Sequence, residues 1–186
     1  MKKLRTAMIG AGFMGKVHTE AIRRLGNVEV AAIAGVSEEE ARGFGAAVGI
    51  GVTTGDYRTV LSDASIDAVH ICTPNVLHHP IAMAAMQAGK HVLCEKPLTM
   101  KLADTKAIIE TSDRTRRIVQ VGTQNRHLPG YAALAAKVKD GLIGPVLYGW
   151  AQTFRQDWIK LYADPEEDSR KNWRMKQDEG GSVTHE

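Results

Sequence analysis

Apolar residues in the first two thirds of the chain fall into short β-branched blocks. These are separated by stretches in which apolar positions recur every three or four residues. Short blocks of this kind predict strands buried on both faces, and the longer period predicts helices packed by one face. The pattern places strands at residues 6–9, 28–33, 52–53, 68–72, 91–94 and 118–122. Helices are predicted at 16–25, 37–48, 57–61, 80–88 and 100–115. Ser37 followed by Glu40 has the spacing of a capping box. Gly89 stands where a left-handed residue ends the fourth helix, and Thr99 is placed to cap the fifth. Strands that alternate with helices require crossover connections, so the fold class is α/β with a mostly parallel, doubly wound sheet.

The texture changes near Gly122. A helix is predicted at 131–140, a turn at 141–145 and a strand at 146–154. The polar stretch 157–178 reads as loop with a short helix.

Composition narrows the function. Hydrophobic residues make up 44% of the 186, enough to bury a core. The 24 basic and 21 acidic residues are interleaved and aromatics are only 5%, which argues against a basic stripe or a stacking surface for nucleic acid. No apolar run approaches the roughly 20 residues that span a bilayer. Leu4-Arg5-Thr6 interrupts any signal-peptide core after Met1-Lys2-Lys3. No nucleic-acid or membrane partner is expected, and the expected location is cytoplasmic. Cys72 and Cys94 sit in apolar runs outside any C-x-x-C pair and read as small buried hydrophobes. Adjacent His78 and His79 point to different faces, so no metal site is expected there. His70 reads as core, and His18 as a residue that packs or caps locally.

Gly10-Ala11-Gly12-Phe13-Met14-Gly15 is G-x-G-x-x-G between a predicted strand and a predicted helix. In that context the first glycine permits the turn, the second lets backbone approach a pyrophosphate, and the third lets helix and strand pack closely. The helix N-terminus would offer free N–H groups to the phosphates. With strand, helix and a second strand in register this reads as the turn of a Rossmann domain that binds NAD or NADP, the alternative being a glycine-rich turn that serves only packing. An acid is expected about 20 residues on, at the end of the second strand, to hold the ribose 2′-hydroxyl. Gly35 stands there instead. Ser37 and Arg42 would suit a 2′-phosphate, or Ser37 only caps its helix and Arg42 pairs with Glu38. The choice between NAD and NADP stays open.

Thr73-Pro74-Asn75 follows the fourth strand and Glu95-Lys96-Pro97 the fifth. Carboxyl ends of parallel strands line the ligand crevice. The first tripeptide is either a wall of the nicotinamide site or a proline-terminated turn. In the second, Lys96 either faces a substrate hydroxyl, aimed by Pro97, or forms a solvated pair with Glu95.

Together these elements resemble the Gfo/Idh/MocA oxidoreductases. The resemblance rests on the glycine motif with His18, on Thr73-Pro74-Asn75 with His78, and above all on Glu95-Lys96-Pro97. It continues through Gly122-Thr123-Gln124-Asn125-Arg126, Gly141-Leu142-Ile143-Gly144-Pro145-Val146, Trp173-Arg174 and Gly180-Gly181. It implies an NAD(P)-binding Rossmann domain, residues 1–122, followed by the start of an α/β substrate and oligomerisation domain with a mainly antiparallel sheet, residues 123–186. It also implies hydride transfer at a hydroxyl or ketone of a sugar, cyclitol or related polyol, and a homo-oligomer at full length. Cofactor contacts are expected from Gly10, Gly12, Phe13, Met14, Gly15, Ser37, Arg42, Thr73, Pro74, Asn75, His78, Glu95 and Lys96. Lys96 is expected to hold the reacting hydroxyl with Glu95 positioning it, and Gln124 and Arg126 to lie near substrate.

Two other activities fit the same resemblance: oxidative cleavage of a glycosidic bond without net NADH, and simple dinucleotide binding by an incomplete enzyme. Members of the family usually carry Asp-x-x-x-His after the Gly-Gly element. Glu186 stands where that acid belongs, the histidine would lie beyond it, and His185 is one residue too early. The expectation is therefore a chain cut within its second domain, with residues past 122 poorly packed.

Overall fold

The computed structural model describes residues 3–152. Six strands form one sheet in the order β3-β2-β1-β4-β5-β6, with every pair parallel. They are β1 (Leu4–Ile9), β2 (Val28–Ala34), β3 (Thr53–Thr54), β4 (Ala68–Ile71), β5 (His91–Cys94) and β6 (Val119–Val121). The order reverses between β1 and β4, which makes the sheet doubly wound and opens a crevice at their carboxyl ends. The helices are α1 (Phe13–Arg23), α2 (Glu38–Val48), α3 (Tyr57–Ser62), α4 (His78–Gln87), α5 (Leu102–Thr115) and α6 (Pro129–Lys139).

Alternation along each central strand divides the core between the two faces of the sheet. Ala7, Ile9, Ala34, Val69 and Ile71 pack with Val60 of α3, Ile81 and Met86 of α4 and Ile108 of α5. Met8 and Ile33 point the other way, onto Ile22 of α1 and Ala41 and Val48 of α2. Met8, fully buried, contributes about 1.5–3 kcal/mol of burial by itself. Both cysteines belong to this interior. Burial, reinforced by the Glu95 carboxylate, pushes the Cys94 thiol up to about 12 and Cys72 in the same direction, so both stay protonated.

Local chemistry moves several boundaries. Helix α1 begins at Phe13 rather than Lys16, because Gly12 is its N-cap and the last glycine of the motif already lies inside the helix. Ser37 caps α2, its hydroxyl accepting from Glu40 N at 3.2 Å. The reciprocal arm reaches one residue further back, to Val36 N at 2.7 Å. Helix α4 starts at His78 because the 3-10 turn Asn75–Leu77 runs into it. Pro80 is tolerated there because the first turn has no intrahelical N–H bond to lose. Gly89, at φ +79°, follows that helix as expected.

Two expectations fail. Thr99 does not cap α5: the N-cap is Lys101, and the Thr99 hydroxyl instead bonds Lys101 O at 2.9 Å and Thr105 Oγ1 at 2.6 Å. Residues 146–152 form no strand. A strand needs a neighbour to take its backbone bonds, and among the described residues these seven pair with none. Residues 153–154 of that segment lie outside the described residues, as do the 157–178 loop, Trp173-Arg174, Gly180-Gly181, His185 and Glu186. Helix α6 buries none of its residues within the described structure; Tyr131 and Leu134 on it, and Trp150 beyond it, are exposed.

Candidate functional site

Three loops meet at the carboxyl ends of β1, β4 and β5. The glycine turn is fixed by packing on two sides. Gly10 has φ +110°, and a Cβ there would stand 2.5 Å from the carbonyl oxygen of Cys72. A Cβ on Gly15 would collide with the Gly10 carbonyl. Gly12 is different, since nothing lies within 4 Å of the place its Cβ would occupy. The turn is therefore closed where it packs and open where a ligand would approach. No side chain caps the first turn of α1, so its leading N–H groups face that open space with the positive end of the helix dipole. Phe13 is exposed and Met14 half-buried beside it. Such a cradle could receive an anionic group such as a pyrophosphate. At the end of β4 the Thr73 hydroxyl is buried with no hydrogen-bond partner among the described residues.

The loops after β4 and β5 are tied together by His78. Its ring is completely buried. Nδ1 lies 2.7 Å from Pro97 O and Nε2 3.0 Å from Thr73 O. Each ring nitrogen faces a carbonyl of one of the two tripeptides, and the tautomer decides which of them receives the N–H, so the side chain packs between the two loops. Asn75 is buried too, at the start of the 3-10 turn that follows Pro74.

Glu95 and Lys96 sit at the end of β5, joined to Pro97 by a cis peptide bond. Lys96 is exposed, and its ammonium makes no ion pair among the described residues. The Glu95 carboxylate turns inward. One oxygen lies 3.0 Å from His18 Nε2 and the other accepts from Lys96 N at 3.3 Å. His18 Nδ1 in turn lies 3.0 Å from His70 Nδ1, with the two rings edge to face. His18 can donate from Nε2 to the carboxylate, and the tautomers of the two rings set which of them donates across the contact between the two Nδ1 atoms. Burial opposes charge on Glu95, but the hydrogen bond and charge of His18, then the Lys96 N–H and ammonium, outweigh it and hold the carboxyl below its ordinary value. Burial and the neighbouring His18 push His70 down to about 4, so that ring is neutral at pH 7.

This chain of two imidazoles and a carboxylate was not foreseen. Neither its length nor its members could be read from spacing, because its links join residues 52 and 77 positions apart. His18 and His70 read individually as packing residues; the structure makes them the support of Glu95.

The remaining expected residues are scattered around the rim. Gln124 and Arg126 lie on the 3-10 turn Gln124–His127, exposed, directly after the β6 edge. Ser37 and Arg42 are exposed on α2. Arg42 does not pair with Glu38, whose carboxylate instead accepts from Gly55 N at 2.8 Å. A shallow concavity lined by Lys3, Leu4, Asp67 and His91 lies at the opposite, amino ends of β1 and β5. Among the described residues no group of His, Cys, Asp and Glu is placed to hold a metal ion. No described helix is long and apolar enough to cross a membrane.

Residues 4–123 match the Gfo/Idh/MocA family, described as an oxidoreductase family with an NAD-binding Rossmann fold. The chain belongs to this family. It is 34% identical, over 98% of its length and 47% of the relative's, to levoglucosan dehydrogenase of Pseudarthrobacter phenanthrenivorans. It is 30% identical to myo-inositol 2-dehydrogenase of Thermotoga maritima, over 76% of this chain and 42% of that one. A solved structure of levoglucosan dehydrogenase in complex with NADH and levoglucosan superposes with a TM-score of 0.73 at 32% identity, covering 78% of this chain and 41% of that one. The chain spans about half the length of these relatives.

Proposed function

We propose that this protein is the cofactor-binding part of an NAD(P)-dependent dehydrogenase that oxidises a secondary hydroxyl of a sugar or cyclitol, or reduces the corresponding ketone. The observation that carries the reading is the convergence at one sheet edge of an open glycine turn, a braced Thr73-Pro74-Asn75 loop and an exposed Lys96. The family membership and the printed activities of the relatives support the substrate class.

The nicotinamide ring, when bound, supplies the hydride acceptor or donor. The protein's part is placement and proton management. The glycine turn and the first turn of α1 would hold the pyrophosphate. Thr73, Pro74 and Asn75 would form the wall against the nicotinamide ribose, with His78 acting behind them. Lys96 would reach the reacting hydroxyl; its ammonium can hold the oxygen and stabilise alkoxide character as hydride leaves for the nicotinamide, the hydroxyl proton passing to solvent or to a base of the substrate domain. Glu95 would keep Lys96 in place through its backbone N–H and its negative charge. Residues 123–186 would begin the substrate domain, with Gln124 and Arg126 at its threshold.

Titration of the 186-residue chain with NADH and NADPH, followed by nicotinamide fluorescence, tests the reading. Saturable binding of at least one is expected. A chain shown to be folded by circular dichroism that binds neither would overturn it.

A further inference from the structure

The acid that dinucleotide folds place at the end of the second strand receives the ribose 2′-hydroxyl and, by its charge, turns away a 2′-phosphate. Here β2 ends at Ala34 and the next residue is Gly35. The position is not merely lacking an acid; it has no room for a side chain. A Cβ on Gly35 would stand 2.7 Å from Glu40 Oε2 and 2.9 Å from Ala41 N. The space is already held by a carboxylate, contributed from the first turn of α2.

That carboxylate is fixed rather than loose. Glu40 Oε2 accepts from Val36 N at 2.7 Å, and Glu40 N is held by the Ser37 hydroxyl at 3.2 Å. The other oxygen of Glu40 makes no hydrogen bond among the described residues, and the residue is exposed. The strand end it guards is the one beside the glycine turn, since Gly10 N donates to Ala34 O at 2.8 Å. Two more acids, Glu38 and Glu39, share the first turn of α2 and add to the negative field there. Ser37 is committed as a cap, and Arg42 stands beyond that first turn.

We infer that Glu40 is the specificity-determining residue for the cofactor: its carboxylate replaces the acid missing at position 35, and the protein takes NAD(H) in preference to NADP(H). The inference rests on the dinucleotide-binding reading above. Its chemistry is simple. A carboxylate oxygen accepts from a ribose hydroxyl, whereas a 2′-phosphate placed against the same group meets like charge.

The test compares NADH and NADPH affinities, by nicotinamide fluorescence at low salt, for the full chain and for Glu40→Gln. The variant keeps an oxygen for Val36 N and loses the charge. The unaltered chain is expected to bind NADH more tightly than NADPH by roughly tenfold or more, and Glu40→Gln to lower that ratio roughly tenfold. Glu39→Gln, the same charge change one residue away, is expected to leave the ratio within about twofold. A tighter NADPH complex in the unaltered chain would overturn the inference in favour of Ser37 and Arg42, as would a ratio that Glu40→Gln leaves unchanged. Binding of neither nucleotide by the folded chain would bring down the underlying dinucleotide reading with it.

Discussion

His18 Nε2 lies 3.0 Å from Glu95 Oε1, and Glu95 is the residue that leads into Lys96. The first helix thus holds the loop after the fifth strand through this contact. Gly122 fits tightly against the same carboxylate: a Cβ there would lie 2.7 Å from Glu95 Oε1. Glu95→Ala strands the His18 donor in a half-buried site, which costs about 1–3 kcal/mol. Glu95→Gln keeps an acceptor and is expected to cost less than half of that. Gly122→Ala forces the carboxylate aside and is expected to cost about 1–3 kcal/mol. Urea unfolding of the three variants measures all of this. Equal midpoints for Glu95→Ala and the unaltered chain would show that the His18 contact contributes nothing.

His70 makes the fold sensitive to mild acid. Its folded-state value is depressed to about 4 from an ordinary 6.5, so between those values the unfolded chain binds more protons than the folded one. Stability therefore rises with pH across that window and falls as acid is added. The full shift corresponds to about 3 kcal/mol at most. Glu95, held below its ordinary value of 4.5, adds a loss of the same sign at lower pH, as the folded state is protonated. The groups facing His70 are His18 directly and Glu95 through it. Chemical denaturation at pH 7 and pH 4.5 should show the decline, and His70→Gln should flatten it. A decline of equal size in His70→Gln would place its origin elsewhere.

How far the sequence foretold this architecture depends on the range of the interactions. The apolar runs at residues 28–33 and 91–94 became β2 and β5 almost unchanged, because a central parallel strand is marked by its own apolar run. The glycine motif was legible because each glycine answers a local demand: a positive φ, a close backbone, an open approach. Thr99 misled because the hydroxyl that seemed ready to cap α5 found a partner in Thr105. Residues 146–152 misled because β propensity describes fit to a sheet, and no described strand lies beside them. The brace from His78 to Pro97 O and the Glu40 carboxylate beneath Gly35 depend on loops meeting in space, which periodicity does not encode.

Two glycines of the turn should separate folding from binding. Gly12→Ala meets nothing within 4 Å and is expected to change stability by less than about 1 kcal/mol. If the pyrophosphate passes over this turn, the added methyl should nevertheless weaken NADH or NADPH binding by roughly tenfold or more. Gly10→Ala faces both a positive φ and the Cys72 carbonyl, and is expected to lose about 2–4 kcal/mol. Thermal unfolding and fluorescence titration of both variants would check the contrast. A Gly12→Ala chain that binds as well as the parent would mean that the ligand does not pass over this turn.

His78 and Lys96 should part company in the same way, one acting through structure and the other through chemistry. His78→Ala removes a buried ring that joins Thr73 O to Pro97 O, and is expected to cost about 2–4 kcal/mol in stability while loosening both loops. Lys96→Met changes an exposed side chain with no ion pair among the described residues, so stability should move by less than about 0.5 kcal/mol. If Lys96 manages the proton of the reacting hydroxyl, Lys96→Met lowers kcat for sugar or cyclitol oxidation by roughly 10²–10⁴-fold and leaves NADH affinity within about threefold. Measured together, the urea midpoint, the NADH titration and the turnover rate give each variant its own signature. A Lys96→Met protein with unimpaired turnover would remove the lysine from the chemistry and leave Glu95 holding a loop with no catalytic group on it.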